Sequence, residues 1–148
     1  MFYTRVDFQK AFDGLVHHNL FTCLHKNGVK EKIFCVLISM YTNLHASVRI
    51  DHGKVTKPFH CNVGTRQGDV SSTIIFNLYI NELSRFLRLK GHRGIFVTNQ
   101  IQDIICILFA DDVANCAETA VELQMQLNSI AEFCDNTGMT INQSKQRK

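Results

Sequence analysis

At 148 residues, 45% hydrophobic and 20% charged, the chain is long enough for one domain with a real core, and intrinsic disorder is disfavoured. Its formal charge of +3, from 16 basic and 13 acidic residues, is too small a surplus to argue nucleic-acid binding by itself. Cys23, Cys35, Cys61, Cys106, Cys116 and Cys134 form no CxxC pair, no positively charged leader opens the chain, and no apolar stretch approaches the roughly 18 residues of a membrane span. A reducing, intracellular location in nucleus or cytoplasm is therefore expected, with secretion and membrane insertion disfavoured.

The first strand-like stretch, Phe2-Tyr3-Thr4-Arg5-Val6, ends on Asp7. After Asp13-Gly14, where Asp13 suits a cap or turn, the spacing of Leu20, Phe21 and Leu24 predicts a helix over about 17–27, stopped by Asn27-Gly28. A second helix is expected from about Glu31 to Asn43, with Ile33, Phe34, Leu37, Ile38 and Tyr41 as a buried stripe. Residues 46–50 alternate, Asp51 to Lys54 make a turn, and Val55 to Val63 return as a partner strand in which Pro58 must take an edge or irregular position. The glycine-bracketed loop Gly64-Thr65-Arg66-Gln67-Gly68 follows. From about Ser72 to Leu89 apolar residues cover so much of the circumference that this helix belongs in the centre of the domain. Residues 90–94 break it, a hairpin runs through Ile95–Val97 and Ile101–Cys116, and Thr119-Ala120-Val121-Glu122 fits a capping box opening a last helix with Leu123, Leu127, Ile130 and Cys134 inward. Gly138 ends that helix, Thr140-Ile141 suits a short edge strand, and a basic tail reaches Lys148.

Hairpins with interspersed helices imply an α+β fold, an antiparallel sheet with helices packed on one face. Within it the apolar run Ile104 to Ala110 delivers two adjacent acids, Asp111 and Asp112, to a hairpin tip. Isolated carboxylates beside a core are costly unless compensated, and a shared divalent cation would compensate them. Asp7, also at the end of an apolar stretch, is the best candidate for a third carboxylate. Two acid-tipped strands with a polar glycine loop between them suggest metal-assisted phosphoryl chemistry. His17-His18 and Cys23-Leu24-His25 match no four-ligand zinc spacing and read as surface polarity. Arg85, Arg88, Lys90, His92 and Arg93 suit either a phosphate backbone or a solvated helix end.

In order and type these segments resemble the palm motifs of reverse transcriptases, especially those of non-LTR (LINE-like) retrotransposons. Asp7-Phe8-Gln9-Lys10-Ala11-Phe12-Asp13 resembles motif A, Gly64–Gly68 through Phe76–Leu83 motif B, Phe109-Ala110-Asp111-Asp112 motif C, and Gly138 to Lys145 motif D. The resemblance covers nearly the whole chain. It implies a single palm domain over residues 1–148 with a ferredoxin/RRM-like core, lacking most of the fingers and the thumb. It also implies RNA-directed DNA polymerase chemistry, with RNA template, DNA primer and deoxynucleoside triphosphates as partners. Asp7 and Asp111 would be the principal ligands of two magnesium ions, with manganese as an alternative, and Asp112 would complete the acidic cluster. Phe12 matches the aromatic gate that crowds the sugar 2′ position, Gln67 the residue beside the incoming nucleotide, and Lys145 the lysine that assists the leaving pyrophosphate. Phe8, Arg66 and Gly68 belong with Phe12 and Gln67 to the implied substrate-binding set.

Two positions depart from the family pattern. Asp69 stands where a small or apolar residue is usual, and Ser71-Ser72 replaces serine-proline, which puts substrate positioning in question. Without fingers and thumb, the implied palm is expected to expose apolar patches and to show little processive activity alone. A non-catalytic palm remnant that binds nucleic acid or a protein partner is the alternative from another class. A ribonucleotide polymerase is disfavoured, because it has no reason to crowd the 2′-hydroxyl with Phe12.

Overall fold

Alternation along the first strand decides which face of the sheet is covered. The computed structural model describes residues 1–50, 53–65, 68–98 and 103–142. Strand β1 (Phe2–Asp7) turns Val6 inward, with Phe8 just beyond it, and Tyr3 and Arg5 outward. It pairs antiparallel with β5 (Asp112–Ala117), which pairs on its other side with β4 (Cys106–Phe109), giving the order β1-β5-β4. Val113, Asn115 and Ala117 of β5 lie on the inner face, whereas Ile107 and Phe109 of β4 are exposed on the outer one. On the free side of β1, Ile141 bridges Phe8, so the expected edge strand at Thr140-Ile141 is present as a short antiparallel contact.

The β4–β5 hairpin closes in two residues, Ala110 and Asp111, since Phe109 and Asp112 are already paired. Ala110 sits at φ +51°. A left-handed first loop residue is the pattern of a II′ turn, whose twist matches the flanking strands and whose favoured occupant is glycine.

Helix α3 (Val70–Leu89) is the central helix its composition predicts, burying Ile75, Phe76, Tyr79, Ile80, Leu83 and Leu87. It begins two residues earlier than the apolar pattern suggests, because the Asp69 side chain caps it by accepting from the Ser71 N–H at 2.9 Å. The two departures from the family pattern also meet, since the Ser72 N–H, which a proline would lack, donates to the Asp69 carbonyl at 3.1 Å. Helix α4 (Ala120–Thr137) carries the full capping box between Thr119 and Glu122 and ends at Gly138. Helices α3 and α4 cover the inner face of the sheet and α1 (His17–Lys26) packs on α3, so the α+β arrangement with helices on one face is borne out. No described helix is long and apolar enough to cross a membrane.

Three expectations need correction. Helix α2 (Glu31–Tyr41) forms, but of its proposed stripe only Tyr41 is buried and Ile33 is 68% exposed, because α2 packs on α1 at the periphery rather than on the sheet. In α4 Ile130 and Cys134 are buried as expected, but Gln126 joins them in place of Leu123 and Leu127: Asn115 donates to its Oε1 at 2.5 Å and its Nε2 donates to the Arg93 carbonyl at 2.9 Å, so the amide is satisfied inside the core. The 46–63 hairpin is mostly irregular. Among the described residues only β2 (His45–Ala46) and β3 (Phe59–His60) pair as strands there, with an Arg49–Val55 bridge beyond them, and Pro58 lies in the gap. Its turn residues 51–52 lie outside the described residues.

His17 is a further correction. It is buried, and its Nε2 lies 2.8 Å from the Gly64 carbonyl, which fixes the proton on that nitrogen because a carbonyl can only accept. Its ring meets Tyr41 edge-on at 5.0 Å. Gly64 itself stands at φ +89°, and a Cβ there would come within 3.0 Å of the Asp13 carbonyl, so glycine is needed. The backbone bonds Gly64 N–H to Leu15 and Thr65 N–H to Phe12, both 2.8 Å, complete the tie between the segment after β1 and the glycine loop.

Two outcomes follow for stability. His17→Leu strands a buried carbonyl and is expected to cost about 1–3 kcal/mol in urea unfolding, with His17→Gln recovering part of it; an unchanged midpoint for His17→Leu would contradict the bond. Ala110→Gly removes a left-handed penalty and is expected to raise stability by about 1 kcal/mol, whereas a lowered urea midpoint would show that the turn carries no such strain.

Candidate active site at the open end of the sheet

The β1–β5 register places Asp7 directly opposite Asp112, and Asp111 precedes Asp112 in the turn. The Phe8 N–H donates to the Asp111 carbonyl at 3.3 Å, which carries the pairing one step past the strand end. Three acids separated by more than a hundred residues in the chain therefore meet at one end of the sheet, each half-buried. Asp7 is further held by Asn142, whose backbone N–H donates to the Asp7 carbonyl at 2.8 Å and whose Nδ2 donates to Asp7 Oδ2 at 2.8 Å.

Their side chains do not share one point. Among the described residues no three His, Cys, Asp or Glu side chains form a ready-made metal cluster. One of the three, Asp112, is taken by Arg5, which sequence reasoning missed. Its Nε donates to Asp112 Oδ1 at 3.1 Å and its Nη2 to Asp112 Oδ2 at 2.5 Å, a two-pronged pair. Arg5 lies diagonally across from Asp112, and Ala114 directly opposite it leaves room for the long side chain to cross. The hydrogen bond and charge of Asp112, then the charges of Asp7 and Asp111, hold the guanidinium above its ordinary value. An arginine two residues before an acid on the same strand face was the available signal.

The other expected site residues divide. Phe8 is a correction: its side chain is 2% exposed and belongs to the core, so only its backbone serves the site. Phe12 is half-buried and stacks on Phe76 of α3, ring centroids 4.2 Å apart, close to the glycine loop that Thr65 ties to it. Gly68 is exposed immediately before the α3 cap. Arg66, Gln67 and Lys145 lie outside the described residues. The cations after α3 serve as internal ties rather than a free patch: Arg88 pairs with Asp103, Lys90 with Glu132 at 2.6 Å, and His92 with the Ser129 hydroxyl at 2.8 Å.

The donor chemistry fits a divalent hard cation of the magnesium type. Magnesium is commonly held by one or two carboxylates, with substrate phosphates and water filling the remaining positions, so a complete protein cage is not required. Asp7 and Asp111 supply two such carboxylates at one strand end.

Comparison with known proteins agrees with this arrangement. The family model described as reverse transcriptase (RNA-dependent DNA polymerase) matches residues 1–148. Among curated relatives, the Pol polyprotein of the type-1 retrotransposable element R2 of Popillia japonica is 28% identical over 140 residues, and that of the type-2 element R2DM of Drosophila melanogaster is 31% identical over 140. Each alignment covers 95% of this chain but only 19% and 13% of the respective relatives, so the chain spans less than a fifth of their length. Among solved structures, an apo telomerase of Candida tropicalis, truncated from its C-terminal domain, superposes with a TM-score of 0.75 at 16% identity over 98% of this chain and 30% of its own. That likeness speaks for the fold. With the family model matched from end to end and the acids of two of its motifs paired across one sheet, the chain belongs to the reverse transcriptase family, with relatives among non-LTR retrotransposons.

Proposed function

We propose that this chain is the palm of an RNA-directed DNA polymerase that transfers deoxynucleotides to a primer 3′-hydroxyl on an RNA template. The observation that supports it most is the register that sets Asp7 across from Asp112 with Asp111 beside them. Asp7 and Asp111 are the principal ligands of two divalent ions, magnesium or manganese, and Asp112 completes the acidic cluster. When bound, such a pair of ions lowers the pKa of an attacking hydroxyl and stabilises charge on phosphate and leaving group.

The chain's own residues orient the reactants around that pair. Asn142 restricts the Asp7 carboxylate to one direction, so its oxygens are positioned before substrate arrives. Phe12, braced on Phe76, presents an aromatic edge where a 2′-hydroxyl would collide, which favours deoxynucleotides. Gly64 and Thr65, fastened to the segment after β1, anchor the loop in which Gln67 is assigned to the incoming nucleotide, with Arg66 and Gly68 in the same substrate-binding set. Lys145 donates a proton to the departing pyrophosphate.

The test is primer extension on an RNA template with this chain substituted for the aligned 140 residues of the Popillia japonica relative. Incorporation is expected to require magnesium or manganese and to fall about 10³-fold in Asp7→Asn and Asp111→Asn, the equivalent of about 4 kcal/mol of transition-state stabilisation. Unfolding midpoints should stay close to wild type. Undiminished incorporation by Asp111→Asn would overturn the assignment. Phe12→Ala should raise the use of ribonucleotides relative to deoxynucleotides, and an unchanged ratio would remove Phe12 from the gate.

A further inference from the structure

The acid cluster contains a like-charge conflict. Asp7 and Asp112 are direct cross-strand partners on one sheet face, an arrangement that is unfavourable for two carboxylates. Arg5 resolves it from the same face and strand as Asp7, taking both oxygens of Asp112 with two nitrogens. An exposed ion pair of this kind adds little to stability, and Arg5 is 69% exposed, so support of the fold is a weak explanation for it. Its effect is on the site, where it occupies both carboxylate oxygens of one of the three acids. Resting on the function proposed above, we propose that Arg5 is a positioning residue that withholds Asp112 from the divalent-ion ligand set and leaves Asp7 and Asp111 as its two carboxylates.

The withheld acid changes how the site meets an ion. Three converging carboxylates would bind a divalent cation tightly enough to satisfy it without substrate. Two carboxylates bind it weakly and leave coordination positions for the phosphates of a nucleotide, the usual way magnesium is engaged in phosphoryl-transfer sites. Arg5 thereby makes ion loading depend on the nucleotide. Neighbouring charges act in the same direction, since the guanidinium also faces Asp7 and Asp111 and weakens their joint pull on a bare cation.

The test reads ion binding rather than catalysis. Manganese(II) is titrated into the 148-residue chain and free ion is followed by electron paramagnetic resonance. Arg5→Leu is expected to tighten manganese binding about tenfold, by releasing Asp112 and removing a neighbouring positive charge. Asp112→Asn alone should shift the wild-type affinity less than twofold, and adding it to Arg5→Leu should abolish most of the gain. Arg5→Lys, which keeps the charge but not the two-pronged grip, should fall between. Circular dichroism of each variant confirms that it is folded. Unchanged affinity in Arg5→Leu, or a loss in Asp112→Asn as large as in Asp111→Asn, overturns the role given to Arg5 and leaves the proposed function standing. Manganese binding that Asp7→Asn and Asp111→Asn both leave intact overturns the two together.

Discussion

The pairing of β1 with β5 is the constraint on which the rest depends. Because strand side chains alternate, a slip of one residue would turn Asp7 into the core and Val6 into solvent. Val6, Phe8 and Val113, all buried against α3 and α4, hold the register by their apolar contacts. The same register sends Arg5 to the acid face and leaves Ala114 small enough for it to cross. Burial on one face of the sheet thus fixes chemistry on the other, and no charged group has to specify the fold.

A second tie brings the glycine loop to the acids. Residues 12–16 leave β1 and run beside 63–65, joined by the Val16–Val63 bridge and the bonds of Gly64 and Thr65. His17, at the start of α1, closes the gap with a side-chain bond, and Tyr41 of α2 closes over it. The peripheral helix α2 is therefore joined to the site through a buried ring, although its Ile33 and Val36 face outward.

What could be read from the sequence follows from what each feature depends on. The acid-tipped strands were legible because their signals are local: an apolar run, then an acid. The capping box of α4 and the dense apolar surface of α3 are local in the same sense. Arg5 had a local signal in its place two residues before Asp7, but its partner did not, because Asp112 lies 107 positions away and only the register makes them neighbours. Gln126 and Asn115 escaped for a related reason, since each is polar by type and is admitted to the core only because the other is there. Phe8 was misassigned by motif position, which marks nearness to the site, whereas strand alternation dictates where the side chain points. His17 was judged as a possible ligand and set aside, and its real partner, a backbone carbonyl, leaves no trace in composition.

The uncovered face now has a physical reason to stay uncovered. Phe109 pairs with Asp112 and Ile107 lies two residues further along β4, both exposed on the outer side of the sheet. If a helix covered that face, Asp7 and Asp111 would lose water and meet the full cost of buried charge. If the face were wholly polar, nothing would favour the flat apolar surfaces of bases over solvent. Exposed apolar side chains thus border a charged end whose charge Arg5 tempers. The fold therefore leaves the acid-bearing end open by packing α3 and α4 on the other side of the sheet.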